Sequence, residues 1–182
     1  MEIRPVDSIE EFRDAMAVNR AAWRDAYDDI LPAEVLDGLD VPEGDALREL
    51  YADACAEGQH FLVALDGGPD TGRGDSGATD VVGFAQFVHH PRLSKPFVGD
   101  EETGLRALYV EPDEQGEGVG SELLGSGFDR LPSDTDAVAL EVFRENDDVR
   151  EFYESRGFDR RGENSFEVGE EQYPTVVYEK PV

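Results

Sequence analysis

The sequence predicts a mixed α/β (α+β) fold, a mostly antiparallel central sheet with helices on both faces, and three observations lead there. Helical apolar spacing dominates the first third of the chain, and strand candidates recur through the rest. Between them, residues 105–124 (LRALYVEPDEQGEGVGSELL) run from an apolar strand through a glycine-rich turn into a helical pattern. Interleaved strands and helices of this kind build layered sheets.

The elements follow in order. Residues 1–6 read as a short edge strand, ended by Pro5 and Asp7. Ser8 and Glu11 form a capping box, after which Ile9, Phe12, Met16, Trp23 and Tyr27 recur at helical spacing on one long or broken helix. Trp23 and Tyr27 read as core residues, with a place in the lining of a pocket as the second reading. Pro32 opens a short helix carrying Val35, Leu36 and Leu39. A third helix covers about 42–57, with Leu47, Leu50, Tyr51 and Ala54 on its apolar face and Gly58 as its stop. Strands are expected at 60–66 and 81–88, joined by a flexible, glycine-rich hairpin loop at 67–80. The tripeptide Arg73, Gly74, Asp75 in that loop reads as chance. His89 and His90 end the second strand and read as solvent-facing, since no third ligand stands at metal spacing. A strand at 137–143, a helix at 147–156 closed by Gly157, and terminal strands near 165–168 and 173–179 complete the order.

Composition narrows the function. With 182 residues and 39% hydrophobic content, the chain suits one compact domain over 1–182. Acids outnumber bases 43 to 16, giving a formal net charge of -27, and Lys95 and Lys180 are the only lysines. Apolar periodicity places that acid on a folded surface rather than in a disordered chain. Such a surface suits cytoplasm at molar salt, where charges are screened within about 3 Å, so a halophilic source is expected. No basic patch is present to neutralise phosphates, which excludes nucleic acid and anionic membrane as partners. Cys55 is the single cysteine. It allows neither an internal disulfide nor a cysteine metal cluster, and it reads as a small buried residue. The N-terminus lacks the apolar core of a signal peptide and no run approaches the ~18 apolar residues of a membrane span, so the expected location is cytoplasmic.

The central stretch carries the chemistry. Gly116, Gly118 and Gly120 let the backbone approach a ligand, and the first N–H groups of the following helix point at an anion. A phosphate or pyrophosphate is the natural occupant. Gly120 is followed by Ser121 and Glu122, not by Lys and Ser/Thr, so the Walker pattern fails. Counting from Gly116 or Gly118 puts Ser121 or Leu123 at the third glycine of a dinucleotide fingerprint, so that fails too.

What does match is Q-x-x-G-x-G, from Gln115 to Gly120, directly after LYVEP. It resembles the acetyl-CoA signature of the GNAT superfamily of N-acetyltransferases. A second stretch, LEVFRENDDVREFYESRGF from Leu140 to Phe158, is similar to the second half of the same core, a strand followed by Asn and a helix bearing F-Y-x-x-x-G-F. Asn146, Phe152, Tyr153, Gly157 and Phe158 fall on the matching positions. With the charge balance, the likeness points to a halophilic archaeal member.

The resemblance implies a single-domain GNAT fold, acetyl-CoA as cofactor, and direct acetyl transfer to a primary amine of a small molecule or a protein, often by a homodimer. It implies that the backbone of Leu108, Tyr109 and Val110 pairs with the pantetheine arm. Gln115, Gly116, Glu117, Gly118, Val119, Gly120 and Ser121 would take the pyrophosphate, and Asn146 would reach the arm. Tyr153 matches the family position beside the cofactor sulfur and is the candidate acid. Glu141 is the first candidate base or water-organiser, expected among apolar neighbours that would raise its pKa. Glu102 stands behind it. Many members have a glutamate just before the central strand where this chain has Gly104. That departure keeps open one alternative, a non-catalytic acyl-CoA sensing module; Glu141, in an L-E-V-x-x-x-N pattern that resembles the branch acetylating protein N-termini, suggests another, an enzyme acting on protein N-termini or lysines. No metal is expected.

An acidic protein repels an anionic cofactor, and salt screens that repulsion. Acetyl-CoA affinity is therefore expected to rise from low to molar salt in titration calorimetry, and steady weakening would count against the reading of the surface.

Overall fold

A computed structural model describes residues 1–66, 80–90 and 92–182. The expected loop at 67–80, with the Arg73 tripeptide, lies outside the described residues apart from Asp80. Seven strands and five helices alternate along these residues: β1 (Glu2–Pro5), α1 (Ile9–Ala26), α2 (Ala33–Asp37), α3 (Gly44–Ala54), β2 (Gln59–Asp66), β3 (Asp80–Val88), β4 (Glu102–Val110), α4 (Val119–Phe128), β5 (Ala137–Phe143), α5 (Asp147–Glu154), β6 (Asp159–Val168) and β7 (Glu171–Pro181). The strands form one sheet in the order β1-β2-β3-β4-β5-β7-β6, mostly antiparallel and flanked by helices. β4 and β5 run parallel, so the chain must cross over between them, and α4 lies in that connection.

The chain divides into two compact units. The first comprises Met1–Ala22, Asp40–Phe87 and Ala107–Arg130. Its core joins Phe12, Ala15 and Val18 of α1 to Phe61, Val63 and Leu65 of β2 and Phe84 of β3. The rings of Phe61 and Phe84 stack at 5.0 Å, and Phe12 tilts against Phe61 at 5.0 Å. At the start of α1, Ser8 Oγ accepts from the Glu11 N–H at 3.2 Å, while the Glu11 carboxylate reaches Arg4 at 2.6 Å. α3 is shorter than expected and buries only Leu47 and Ala54, with Tyr51 partly covered between them. That narrow stripe corrects two expectations. Leu50 falls outside it and is 45% exposed, and Cys55, one residue past the helix end, is exposed rather than buried.

The second unit comprises Trp23–Leu39, Val88–Arg106 and Leu131–Val182. Its frame is the antiparallel ladder β5-β7-β6, in register from Ala137↔Pro181 to Phe143↔Thr175 and from Asp159↔Glu179 to Val168↔Glu171. β6 is six residues longer at its start than the expected 165–168, because this edge strand is mostly exposed and shows no apolar alternation. β5 is buried at every position except Glu141, as a strand covered on both faces must be. Trp23, Tyr27, Phe143 and Phe166 form a chain of edge-to-face contacts at 5.1, 4.9 and 5.8 Å, closed off by Leu31 and Leu36. Trp23 and Tyr27 thus sit in a core cluster.

Gly127 of α4 is where the first unit tolerates no side chain: a Cβ there would overlap the ring of fully buried Phe87. Gly127→Ala is expected to lower the unfolding free energy by about 1–3 kcal/mol in urea titration. Gly125→Ala, on the same helix with nothing within 4 Å, should raise it by about 0.5–1 kcal/mol through helix propensity.

Candidate active site

In the first unit, β4 ends at Val110 and the chain tightens into a 3-10 turn at Pro112–Glu114. Glu114 N–H donates to Glu111 O at 2.9 Å and Gln115 Nε2 to Val110 O at 3.3 Å. Gly116 and Gly118 then take φ of +84° and +92°, values that side-chain-bearing residues rarely adopt. Space is open on both glycines where a Cβ would stand. Gly118 caps α4 without any side-chain hydrogen bond, and Glu122 N–H to Gly118 O at 3.0 Å is the helix's first bond. The N–H groups ahead of it face outward along the axis, at the positive end of the helix dipole. Glu111, unremarked in the sequence, enters this loop partly buried. Burial, then the charges of Asp113 and Glu114, push its carboxyl above the ordinary range.

In the second unit, Lys95, Phe97, Val98, Leu105, Arg106 and Glu141 line a cleft holding about 370 Å³ of space, part of it open to solvent. The Glu141 side chain is 8% exposed, and both of its oxygens are engaged. Lys95 Nζ donates to Oε1, while Thr175 Oγ1 at 2.8 Å and Asn164 Nδ2 at 3.2 Å donate to Oε2. Lys95 Nζ also lies 4.3 Å from the centroid of the Phe166 ring. The apolar surroundings expected for Glu141 are therefore corrected to a cation and two neutral donors. Register explains them: Glu141 pairs with Val177, so Thr175 is its diagonal neighbour on the same face, and Asn164 pairs with Thr175.

Gly104 lies inside β4, paired with Ala139, and not just ahead of the strand as expected. Any Cβ there would meet Val98 Cγ2 at 3.3 Å. Glu102, the other candidate base, accepts from Arg161 Nη1 at 2.6 Å and from the Gly99 N–H at 2.7 Å. Burial pushes its carboxyl up, but those hydrogen bonds and the Arg161 charge outweigh burial and hold it below its ordinary 4.5. Arg161 also donates to Glu179 at 2.8 Å and to Phe97 O, tying down the segment that walls the cleft. His89 is half-buried rather than solvent-facing, its Nδ1 3.0 Å from Thr103 Oγ1, which is 3.2 Å from Thr135 Oγ1.

α5 carries the remaining candidates. Asn146 Oδ1 accepts the Val149 N–H at 3.2 Å as N-cap, and its buried Nδ2 has no hydrogen-bond partner among the described residues. Tyr153 is buried, with Phe152 and Phe158 edge-on at 5.1 and 5.3 Å. Gly157, at φ +82°, ends the helix. Phe158 N–H donates to Tyr153 O at 3.2 Å and Gly157 N–H to Glu154 O at 3.1 Å, a Schellman motif whose apolar contact is Phe158 on Tyr153. The G-F of the sequence pattern is thus the clamp that fixes the tyrosine. Asn164, Thr175 and Arg161 escaped sequence reading because only strand register brings them in. Lys95, one of two lysines, carried a compositional signal.

Among the described residues no group of three His, Cys, Asp or Glu side chains is placed to hold a metal ion, and no helix is long and apolar enough to cross a membrane.

The family model described as Acetyltransferase (GNAT) family matches residues 20–158. No curated protein matches the chain. Among solved structures, the PaiA N-acetyltransferase of Thermoplasma acidophilum in complex with coenzyme A is similar at TM-score 0.70 and 20% identity, over 100% of this chain and 98% of its own. An acetyltransferase of Thermus thermophilus is similar at TM-score 0.64 and 16% identity, over 100% and 96%. The ribosomal-protein-S18-alanine N-acetyltransferase of Escherichia coli follows at 0.62 and 17%, over 99% and 92%. At these identities the likeness to the structures is one of fold.

Because the folded Glu102 carboxyl is depressed, its pair with Arg161 contributes stability above the unfolded value and loses it as pH falls through the folded one. Arg161→Gln is expected to cost about 1 kcal/mol at neutral pH in urea titration. The difference from wild type should shrink once pH falls below 4.5.

Proposed function

This chain belongs to the acetyltransferase (GNAT) family and is an acyltransferase, and on that premise we propose that it transfers the acetyl group of acetyl-CoA directly to a primary amine of a small molecule or a protein. The observation that carries this reading is the glycine loop, where Gly116 and Gly118 are left-handed and open and the α4 N-terminus has no side-chain cap. A pyrophosphate suits that cradle. The unpartnered Nδ2 of Asn146 is a second fit, since a buried donor calls for an acceptor such as a carbonyl of the cofactor arm.

Bound acetyl-CoA supplies a thioester carbonyl open to attack by an amine. The loop backbone from Gln115 to Ser121 would hold the pyrophosphate and Asn146 would orient the arm. The backbone of Leu108, Tyr109 and Val110 would pair with pantetheine as a sheet edge pairs with an added strand. Tyr153 Oη holds the proton that the departing sulfur takes, without being charged at rest. A lysine-like amine, with a pKa of about 10.4, gives one proton to water in the open cleft before it attacks, and the proton it loses on forming the amide replaces the one that Tyr153 gives up. Glu141, saturated by Lys95, Thr175 and Asn164, serves as organiser of the cleft and its water rather than as a free base. Glu102, committed to Arg161, has no part in the proton transfer. A cytoplasmic, halophilic archaeal setting accounts for a chain with 43 acids.

Thiol release from acetyl-CoA over a panel of amines tests the assignment. Wild type should turn over at least one amine, and Tyr153→Phe should lose about 10²-fold in kcat with acetyl-CoA affinity nearly unchanged. Cofactor binding without turnover on any amine would favour the sensing module.

A further inference from the structure

We propose that the acceptor is an amine that also carries a carboxylate, an α-amino acid or a compound built like one with an apolar side chain, and that Arg106 binds the carboxylate. This rests on the reading of the chain as an N-acetyltransferase and names the acceptor class for its Glu141 cleft.

Charge is the first reason. The charged side chains lining the cleft are Lys95, Arg106 and Glu141. Lys95 already matches Glu141, and Thr175 and Asn164 take its second oxygen. Arg106 is left over. Among the described residues it has neither an ion-pair partner nor a hydrogen-bond acceptor for its guanidinium, in a chain of 43 acids. The cleft is thus a locally positive wall on a molecule of formal charge -27. A planar guanidinium with its donors unspent fits a carboxylate two-pronged.

Placement is the second. Gly104 and Ala139 face each other across the parallel pairing, and Arg106 and Glu141 each stand two residues further along. Residues two apart on a strand share a face, so guanidinium and carboxylate rise from neighbouring strands on the same side of the sheet. Gly104 puts no side chain beside them. Phe97, Val98 and Ala139 supply the apolar wall for a side chain.

The third reason lies in the amine. A carboxylate already neutralised by Lys95 offers no counter-charge to a substrate ammonium, which favours the uncharged, nucleophilic form. The cleft therefore suits a ligand that brings one negative group and a free amine.

The test compares acceptors that differ only in the carboxylate: phenylalanine against phenethylamine, and leucine against 3-methylbutylamine. Wild type is expected to favour the acid of each pair about tenfold or more in kcat/KM. The preference should fall to about one in Arg106→Gln and return in part in Arg106→Lys. Equal rates on both members in wild type, or a preference that survives Arg106→Gln, overturn the proposal while leaving N-acetyl transfer standing. If no amine is acetylated, the transfer reading fails by itself, and calorimetry with N-acetylphenylalanine against N-acetylphenethylamine still decides the point. Tighter binding of the acid, lost in Arg106→Gln, supports it; no difference overturns it.

Discussion

Parallel pairing of β4 with β5 is the constraint on which the site depends. Antiparallel neighbours join through a short turn, but parallel ones require the chain to return to the same end of the sheet. The return here carries α4, whose N-terminus follows β4 within nine residues, through the turn at Pro112–Glu114 and the two left-handed glycines. An uncapped helix N-terminus beside open glycines is an anion site by backbone geometry alone, needing no basic side chain. That matters in a chain whose loop contains Glu114 and Glu117 and no arginine.

The second unit solves a different problem. Glu141 interrupts an otherwise buried strand, and a carboxylate in that position is costly unless its charge and lone pairs are met. Lys95, Thr175 and Asn164 meet them from three separate segments, the cleft wall, β7 and β6. Arg161 works at the rim, linking β6 to Glu102, Glu179 and the Phe97 carbonyl. Several directed bonds therefore converge on the wall of the cleft, which gives it a defined shape.

The clamp on α5 shows how local and tertiary physics agree. Gly157 is left-handed because a helix end needs its carbonyls satisfied, and the same turn lays Phe158 on Tyr153. Asn146 at the other end spends its oxygen on the cap and keeps its amide donor unspent. Eight helical residues thus present a held tyrosine and a waiting donor.

Local patterns by themselves determined the element order, the glycine loop and the F-Y-x-x-x-G-F helix, because capping, left-handed glycine and strand-to-helix switches act within a few residues. They also placed Trp23 and Tyr27 in core. The full length of β6 escaped them, since an exposed edge strand has no alternation to read. So did the exposure of Leu50 and Cys55, which depends on how narrow a stripe of α3 is covered. Only tertiary structure decided what surrounds Glu141 and Glu102. Their partners lie between 23 and 59 residues away, apart from the neighbouring Gly99 N–H, and meet them through strand register and the path of the 92–99 segment. Hydrogen-bond partners set by register between strands distant in sequence leave no mark on either strand's own sequence, so the glycine loop was legible in one dimension and the surroundings of the Glu141 cleft were not.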